Sequence, residues 1–325
     1  MGRPRLGHPM TVGPDQQDTR RASAYDELPV YLLAGVEHVF GVVTRPVGTS
    51  NGTAVLCMHA GAQNLSSHRN GVWTRLCREI AAMGYTTLRM DFHGTGDSSG
   101  VLVDRDVSGQ TNADVDTAVQ WLSDRGAKRV VVVGTCWGGL VALIAAARRP
   151  EITSACLISP PLRLIETGGE VTKSSNPKPD QLGRATVQVF HPRVIRLLLS
   201  NRAYRSWLVG RARQRLERAY AAARGRVAPD RATAGPVRPP SEHVLAPLLR
   251  RNVRVHVLFG EHERTYRDLM TPGTLPGLEA AARSFDIDVA PISVHGLSTL
   301  ESQDLVVRRV RTWLAQDLLV TGATR

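Results

Sequence analysis

Val130-Val131-Val132-Val133-Gly134-Thr135-Cys136-Trp137-Gly138-Gly139-Leu140 decides how the rest of this chain is read. Four consecutive β-branched residues predict a strand buried on both faces, the pattern of a parallel sheet covered by helices. The apolar, alanine-rich residues 140–147 predict a buried helix directly after it. Between the two, the glycines allow a sharp turn, and G-x-C-x-G puts a cysteine at its apex with small residues two positions to either side. This is the pattern of a nucleophile elbow, which lifts its central side chain clear of the sheet. A sulfur at that point faces unpaired N–H groups and the positive end of the helix dipole, both of which favour thiolate. Cys136 is therefore the candidate nucleophile.

On the N-terminal side, residues 28–33 and 36–43 predict an antiparallel pair around Gly35, and residues 53–59 a buried strand. Residues 71–83 carry helical spacing, with Val72, Leu76, Ile80 and Met83 on one face and Gly84 just past the end. A strand at 85–90 and a helix at 112–122 lead into the central strand at 129–133. Beyond the elbow, residues 152–159 predict a strand closed by Pro160-Pro161. This alternation predicts an α/β fold: a mostly parallel central sheet with right-handed crossovers and helices on both faces. From 162 to 245 the rhythm breaks, with a polar segment at 168–183 and helical stretches at 192–199 and 202–224. The core resumes with a strand at 253–260, a helical stretch at 278–283, a strand at 287–294 and a last helix at 305–318. The expected division is a disordered tail over 1–25, a core over 26–161 and 246–320, and a helical, basic cap insertion over 162–245.

With 325 residues, 42% hydrophobic and 22% charged, the chain can bury one large core plus that insertion. Cys57, Cys77, Cys136 and Cys156 form no CxxC pair, which argues against zinc and a disulfide framework and makes a reducing cytoplasm the expected setting. No metal or redox cofactor is implied. Residues 1–21 lack the apolar run of a signal peptide, and no stretch is long enough for a membrane span. The net charge of +12 favours acidic partners. Much of it lies in the insertion, where 16 Lys and Arg face 6 Asp and Glu. Arg202, Arg205, Arg211, Arg213, Arg215 and Arg218 crowd one helical region, interleaved with Tyr204, Trp207, Leu208 and Leu216. That surface is an expected dock for an acidic acyl-carrier protein or the phosphates of a coenzyme A thioester, the alternative being an ordinary solvated helix face. Nucleic acid fits less well, because one basic helix without a recognition motif leaves the elbow unexplained.

A nucleophile of this kind needs a base, an acid to orient the base, and N–H donors for an oxyanion. Over residues 28–318 the chain resembles the α/β-hydrolase superfamily, in which nucleophile, acid and histidine follow in that order. The order implies an acid after the strand at 253–259, where Gly260-Glu261-His262-Glu263 stands. Spacing favours Glu263, with Glu261 and Asp268 as rivals. It implies a base after the last strand, where His295-Gly296 stands. The oxyanion donors would be the N–H of Trp137 and that of Gly61 or Ala62. Asp91-Phe92-His93-Gly94-Thr95-Gly96-Asp97-Ser98 reads as a loop whose side chains hold its own backbone. His59, His93, His256 and His262 read as structural.

Gly61-Ala62-Gln63-Asn64-Leu65-Ser66-Ser67-His68-Arg69-Asn70, with Leu88-Arg89-Met90-Asp91 and Gly94-Thr95-Gly96-Asp97-Ser98, resembles the exosortase-associated hydrolases, which also carry cysteine at the elbow. The chain departs from them at Trp137, where they have an acidic residue, and at Glu263, where they have Asp. Cys-Trp-Gly-Gly is similar instead to dienelactone hydrolases and polyhydroxyalkanoate synthases, and the chain also resembles thioesterase and acyltransferase members. The resemblance implies an acyl-enzyme. An acyl group on Cys136 is a thioester, close in energy to acyl-coenzyme A, so it suits transfer, condensation or cyclisation as well as hydrolysis. The expected function is a cysteine-dependent acyl hydrolase or acyltransferase acting on thioesters or esters through Cys136, His295 and Glu263. The alternatives are a lactone or ester hydrolase of dienelactone hydrolase type, and a non-catalytic hydrolase-fold binding protein.

Overall fold

The computed structural model describes residues 24–61, 64–100, 109–166, 241–272, 278 and 281–322. Residues 1–23 of the predicted tail, Ala62 and most of the insertion, with Arg202, Arg205, Arg211, Arg213, Arg215 and Arg218, lie outside the described residues, while Tyr25 already belongs to the first strand.

The chain opens with β1 (Tyr25–Ala34), β2 (Glu37–Pro46) and β3 (Thr53–Met58). A 3₁₀ turn, Arg69–Gly71, leads into α1 (Val72–Ala81), followed by β4 (Thr86–Met90) and α2 (Gln110–Asp124). Next come β5 (Arg129–Thr135), α3 (Trp137–Arg148), β6 (Ile152–Ile158) and α4 (Arg163–Glu166). After the insertion the described elements are α5 (Ser241–Arg250), β7 (Arg254–Gly260), α6 (Arg264–Met270), β8 (Asp286–Ala290) and α7 (Leu300–Gly322).

The eight strands form one sheet in the order β1-β2-β4-β3-β5-β6-β7-β8. Only β1 and β2 run antiparallel to their neighbours; β3 to β8 are parallel. The sequence alternation explains this, since each parallel pair needs a crossover long enough to hold a helix. β5 lies centrally between β3 and β6, so its valines are covered on both faces. Val130 and Val132 point into the cluster formed with α2, α3 and α5, while Val131 and Val133 point into the one formed with α1 and α7. That is the two-residue period of a strand expressed as two separate cores. The flanks of the insertion belong to the first core: Leu162, Ile165, Val244 and Leu245 are all buried there.

The last strand is shorter than the sequence predicts. β8 stops at Ala290, whose carbonyl accepts the Glu261 N–H at 2.8 Å, and beyond it Val294 sends its N–H to the Glu263 carboxylate instead of to a neighbouring strand. Conversely, the final helix is longer and begins at Leu300. Among the described residues, no helix is long and apolar enough to cross a membrane.

The glycines of the elbow are fixed by close approach. A Cβ on Gly138 would stand 2.4 Å from the His59 carbonyl oxygen and 2.6 Å from that of Met58, both main-chain atoms of the β3 end. Helix α3 packs directly against that backbone, so Gly138→Ala is expected to cost about 3 kcal/mol, the upper range for overpacking. Urea unfolding monitored by circular dichroism would measure it.

Candidate active site

Cys136 sits between β5 and α3 with φ 48 and ψ −116, a left-handed conformation that a non-glycine residue holds only where the surroundings impose it. Its N–H donates to the Ile158 carbonyl at 2.8 Å, and its own carbonyl accepts the N–H groups of Gly139 and Leu140. The side chain is partly exposed, whereas Cys57, Cys77 and Cys156 are buried. Trp137, as the first residue of α3, offers a backbone N–H that nothing in its own helix accepts.

His295 lies in the loop between β8 and α7, and its Nε2 is 3.3 Å from Cys136 Sγ across a sequence separation of 159 residues. The loop is anchored by Val294 and Leu297, both fully buried on either side of the exposed histidine. Gln303 of α7 donates to the Leu297 carbonyl at 2.8 Å. The imidazole pKa stands above its ordinary 6.5: the hydrogen bond to Cys136 is the largest cause, the charges of Cys136 and Glu263 add to it, and partial burial opposes it. Removing the sulfur removes the first cause, so in Cys136→Ala the His295 titration, followed by NMR, is expected to move downward.

Glu263 is buried at the N-cap of α6, yet its side chain makes no bond to that helix. Oε1 accepts the backbone N–H groups of Val294 and His295, each at 2.6 Å, and the Ser293 hydroxyl at 3.0 Å. Oε2 accepts the Ser159 hydroxyl at 2.5 Å. The carboxylate thus holds the main chain of the histidine loop, where the sequence reading has it orienting the ring. The rival acids stand elsewhere: Glu261 is exposed, and Asp268 pairs with Arg264 at 3.7 Å.

Gly61 lies against Trp137, whose Cδ1 is 3.5 Å from where a Cβ would be. Its N–H and its carbonyl are each 3.2 Å from Nδ1 of His59. Burial lowers the His59 pKa to about 4, so the ring is neutral at pH 7 and its tautomer decides which of those groups it engages. With Nδ1 protonated, the imidazole donates to the Gly61 carbonyl instead of accepting the Gly61 N–H.

Asp91 also supports this loop. One carboxylate oxygen accepts the Ser66 N–H, and the other accepts the Asp97 N–H at 3.3 Å. It therefore ties the loop after β4 to the loop after β3, a wider reach than a turn holding only its own backbone. His93 pairs with buried Asp114, and His256 with Asp286 at 2.9 Å, both away from Cys136 in the hydrogen-bond pattern. The serines that hold Glu263 escaped the sequence reading; only the position of Ser159 at a strand end marks it. Among the described residues, no group of three or more His, Cys, Asp or Glu side chains is placed to hold a metal ion.

Several known proteins share this architecture. A proline iminopeptidase from Mycobacterium smegmatis is 17% identical, covers 90% of this chain and 100% of its own, and superposes with a TM-score of 0.53. The Pyrococcus furiosus esterase Pf2001 is 17% identical, covers 97% of this chain and 99% of its own, and gives 0.55. A dienelactone hydrolase from Anabaena variabilis is 14% identical, covers 90% and 98%, and gives 0.52. In sequence, an uncharacterized protein of Rickettsia prowazekii (strain Madrid E) is 31% identical over 132 residues, 40% of this chain; the chain spans about half of that relative's length, 52%. The family model described as "Alpha/beta hydrolase family" matches residues 55–309, a span that runs from β3 through the elbow to the helix after His295. The chain belongs to the alpha/beta hydrolase family.

Proposed function

We propose that this chain forms an acyl-enzyme on Cys136 and acts on thioesters or esters, either hydrolysing them or passing the acyl group to an acceptor. The observation that carries the reading is the 3.3 Å contact between Cys136 Sγ and His295 Nε2 at the apex of a strained elbow. In the first step the sulfur attacks the acyl carbonyl. The C–S bond forms as the carbonyl electron pair moves to oxygen, where the Trp137 N–H and a donor from the loop at Gly61 receive it. The proton held by His295 then goes to the leaving thiol or alcohol as its bond to carbon breaks. Water, an amine or another thiol attacks the acyl-thioester, gives its proton to His295, and releases Cys136. Glu263 keeps the histidine loop in place throughout. The basic insertion supports an acidic acyl donor, a carrier protein or a coenzyme A thioester, in a cytoplasmic setting.

Turnover of acyl thioesters, simple esters and a lactone, each with and without hydroxylamine as a competing acceptor, tests this. Thioester turnover partitioning to the hydroxamate supports transfer, and turnover to free acid alone supports hydrolysis. Lactone opening as the fastest reaction would favour the activity named for the Anabaena neighbour. Absence of turnover with every substrate would point to a binding protein.

A further inference from the structure

We propose that Ser159 is a positioning residue for the Cys136–His295 pair, acting through Glu263; the inference rests on the reading of Cys136 as nucleophile given under Proposed function. Ser159 follows β6 directly, fully buried, at φ 47, a conformation that side chains other than glycine rarely adopt. Three bonds converge there. The carbonyl of Ile158 immediately before it accepts the N–H of Cys136, at 2.8 Å. Its own N–H donates to Leu258 of β7, also at 2.8 Å. Its hydroxyl donates to Glu263 Oε2 at 2.5 Å, while Thr265 Oγ1 lies 3.4 Å away.

One two-residue corner therefore fixes the backbone of the nucleophile from one side and the carboxylate that holds the histidine loop from the other. Val294 and His295 consume Oε1, so Oε2 has Ser159 as the partner that sets the rotation of the carboxylate. If that rotation is lost, the loop amides lose their acceptor and the distance from imidazole to sulfur is no longer fixed. Glycine would relieve the backbone at this corner but would leave Glu263 Oε2 without the hydroxyl donor.

Iodoacetamide labelling of Cys136, followed by intact mass, reads the pair without any substrate, because the other described cysteines are buried. At pH 7, Ser159→Ala is expected to label about tenfold more slowly than wild type, an effect of the size of one charge-assisted hydrogen bond. Its His295 titration is expected to move downward. Ser159→Gly frees the backbone without restoring the hydroxyl, so it should match Ser159→Ala in both readouts while melting no lower. Wild-type labelling and titration in either variant would overturn the role of Ser159, and so would their recovery in Ser159→Gly alone. A wild-type protein in which Cys136 labels no faster than glutathione would overturn the nucleophile reading itself and Ser159 with it.

Discussion

Cys136→Ala is expected to lower kcat/KM for a thioester substrate by at least about a thousandfold, His295→Ala by nearly as much, and the double variant by no more than the larger single loss. Sulfur and imidazole sit 3.3 Å apart, and in the proposed mechanism they transfer the proton as one unit, so removing either leaves the other with nothing to act on. What survives in every variant is binding and the oxyanion donors, and that residue of activity sets a common floor. Folding should be little affected, because Cys136 is partly exposed and His295 projects from the surface of its loop. Kinetics of the three variants, with melting curves as a control, would check this. Losses that multiply in the double variant would mean that the two groups work independently.

Glu263→Ala is expected to destabilise the protein by about 3 kcal/mol, seen as a fall of about 6–12 °C in Tm for a domain of this size. The buried carboxylate accepts two backbone N–H groups and two hydroxyls, and alanine leaves the amides of Val294 and His295 without an acceptor. Ser159 and Ser293 can turn their hydroxyls elsewhere, but a main-chain amide is fixed. Glu263→Gln separates the two jobs of this side chain. Its carbonyl oxygen can still take the loop amides, and its NH₂ can donate to a reversed Ser159 hydroxyl. Stability should therefore largely return, while His295 loses one of the charges that raise its pKa and titrates lower. Calorimetry and NMR titration of the two variants would measure these effects.

The elbow was legible because three independent demands met in one stretch. Val130 to Val133 must be covered on both faces, α3 must pass close enough that position 138 has no room for a Cβ, and the residue between must tolerate a left-handed backbone. The mostly parallel sheet followed from the alternation of strands and helices, and the antiparallel pair around Gly35 from the strand-like stretches on either side of it. The end of β8 differs from the expectation because Ile292 and Val294 look like strand residues, whereas the Val294 amide goes to the Glu263 carboxylate and not to a ladder. Loop positions of Glu263 and His295 were legible from their places after β7 and β8. The bonds between them were not. A sequence shows that a carboxylate stands near a loop, but which of its donors are ring and which are main chain depends on side-chain rotation set by Ser159 and Ser293, both unremarkable in the sequence. The place of Gly61 after β3 was legible too, yet its contact with the His59 ring depends on the turn geometry at φ 103.

The most direct measurement is peptide-resolved mass spectrometry of the protein quenched in acid after brief mixing with an acyl thioester. The predicted result is one acyl group added to Cys136 in wild type, discharged on adding hydroxylamine, and absent from Cys136→Ala. Turnover that proceeds with no acyl group on Cys136, or with the acyl group on another residue, would contradict the assignment of this sulfur as the nucleophile.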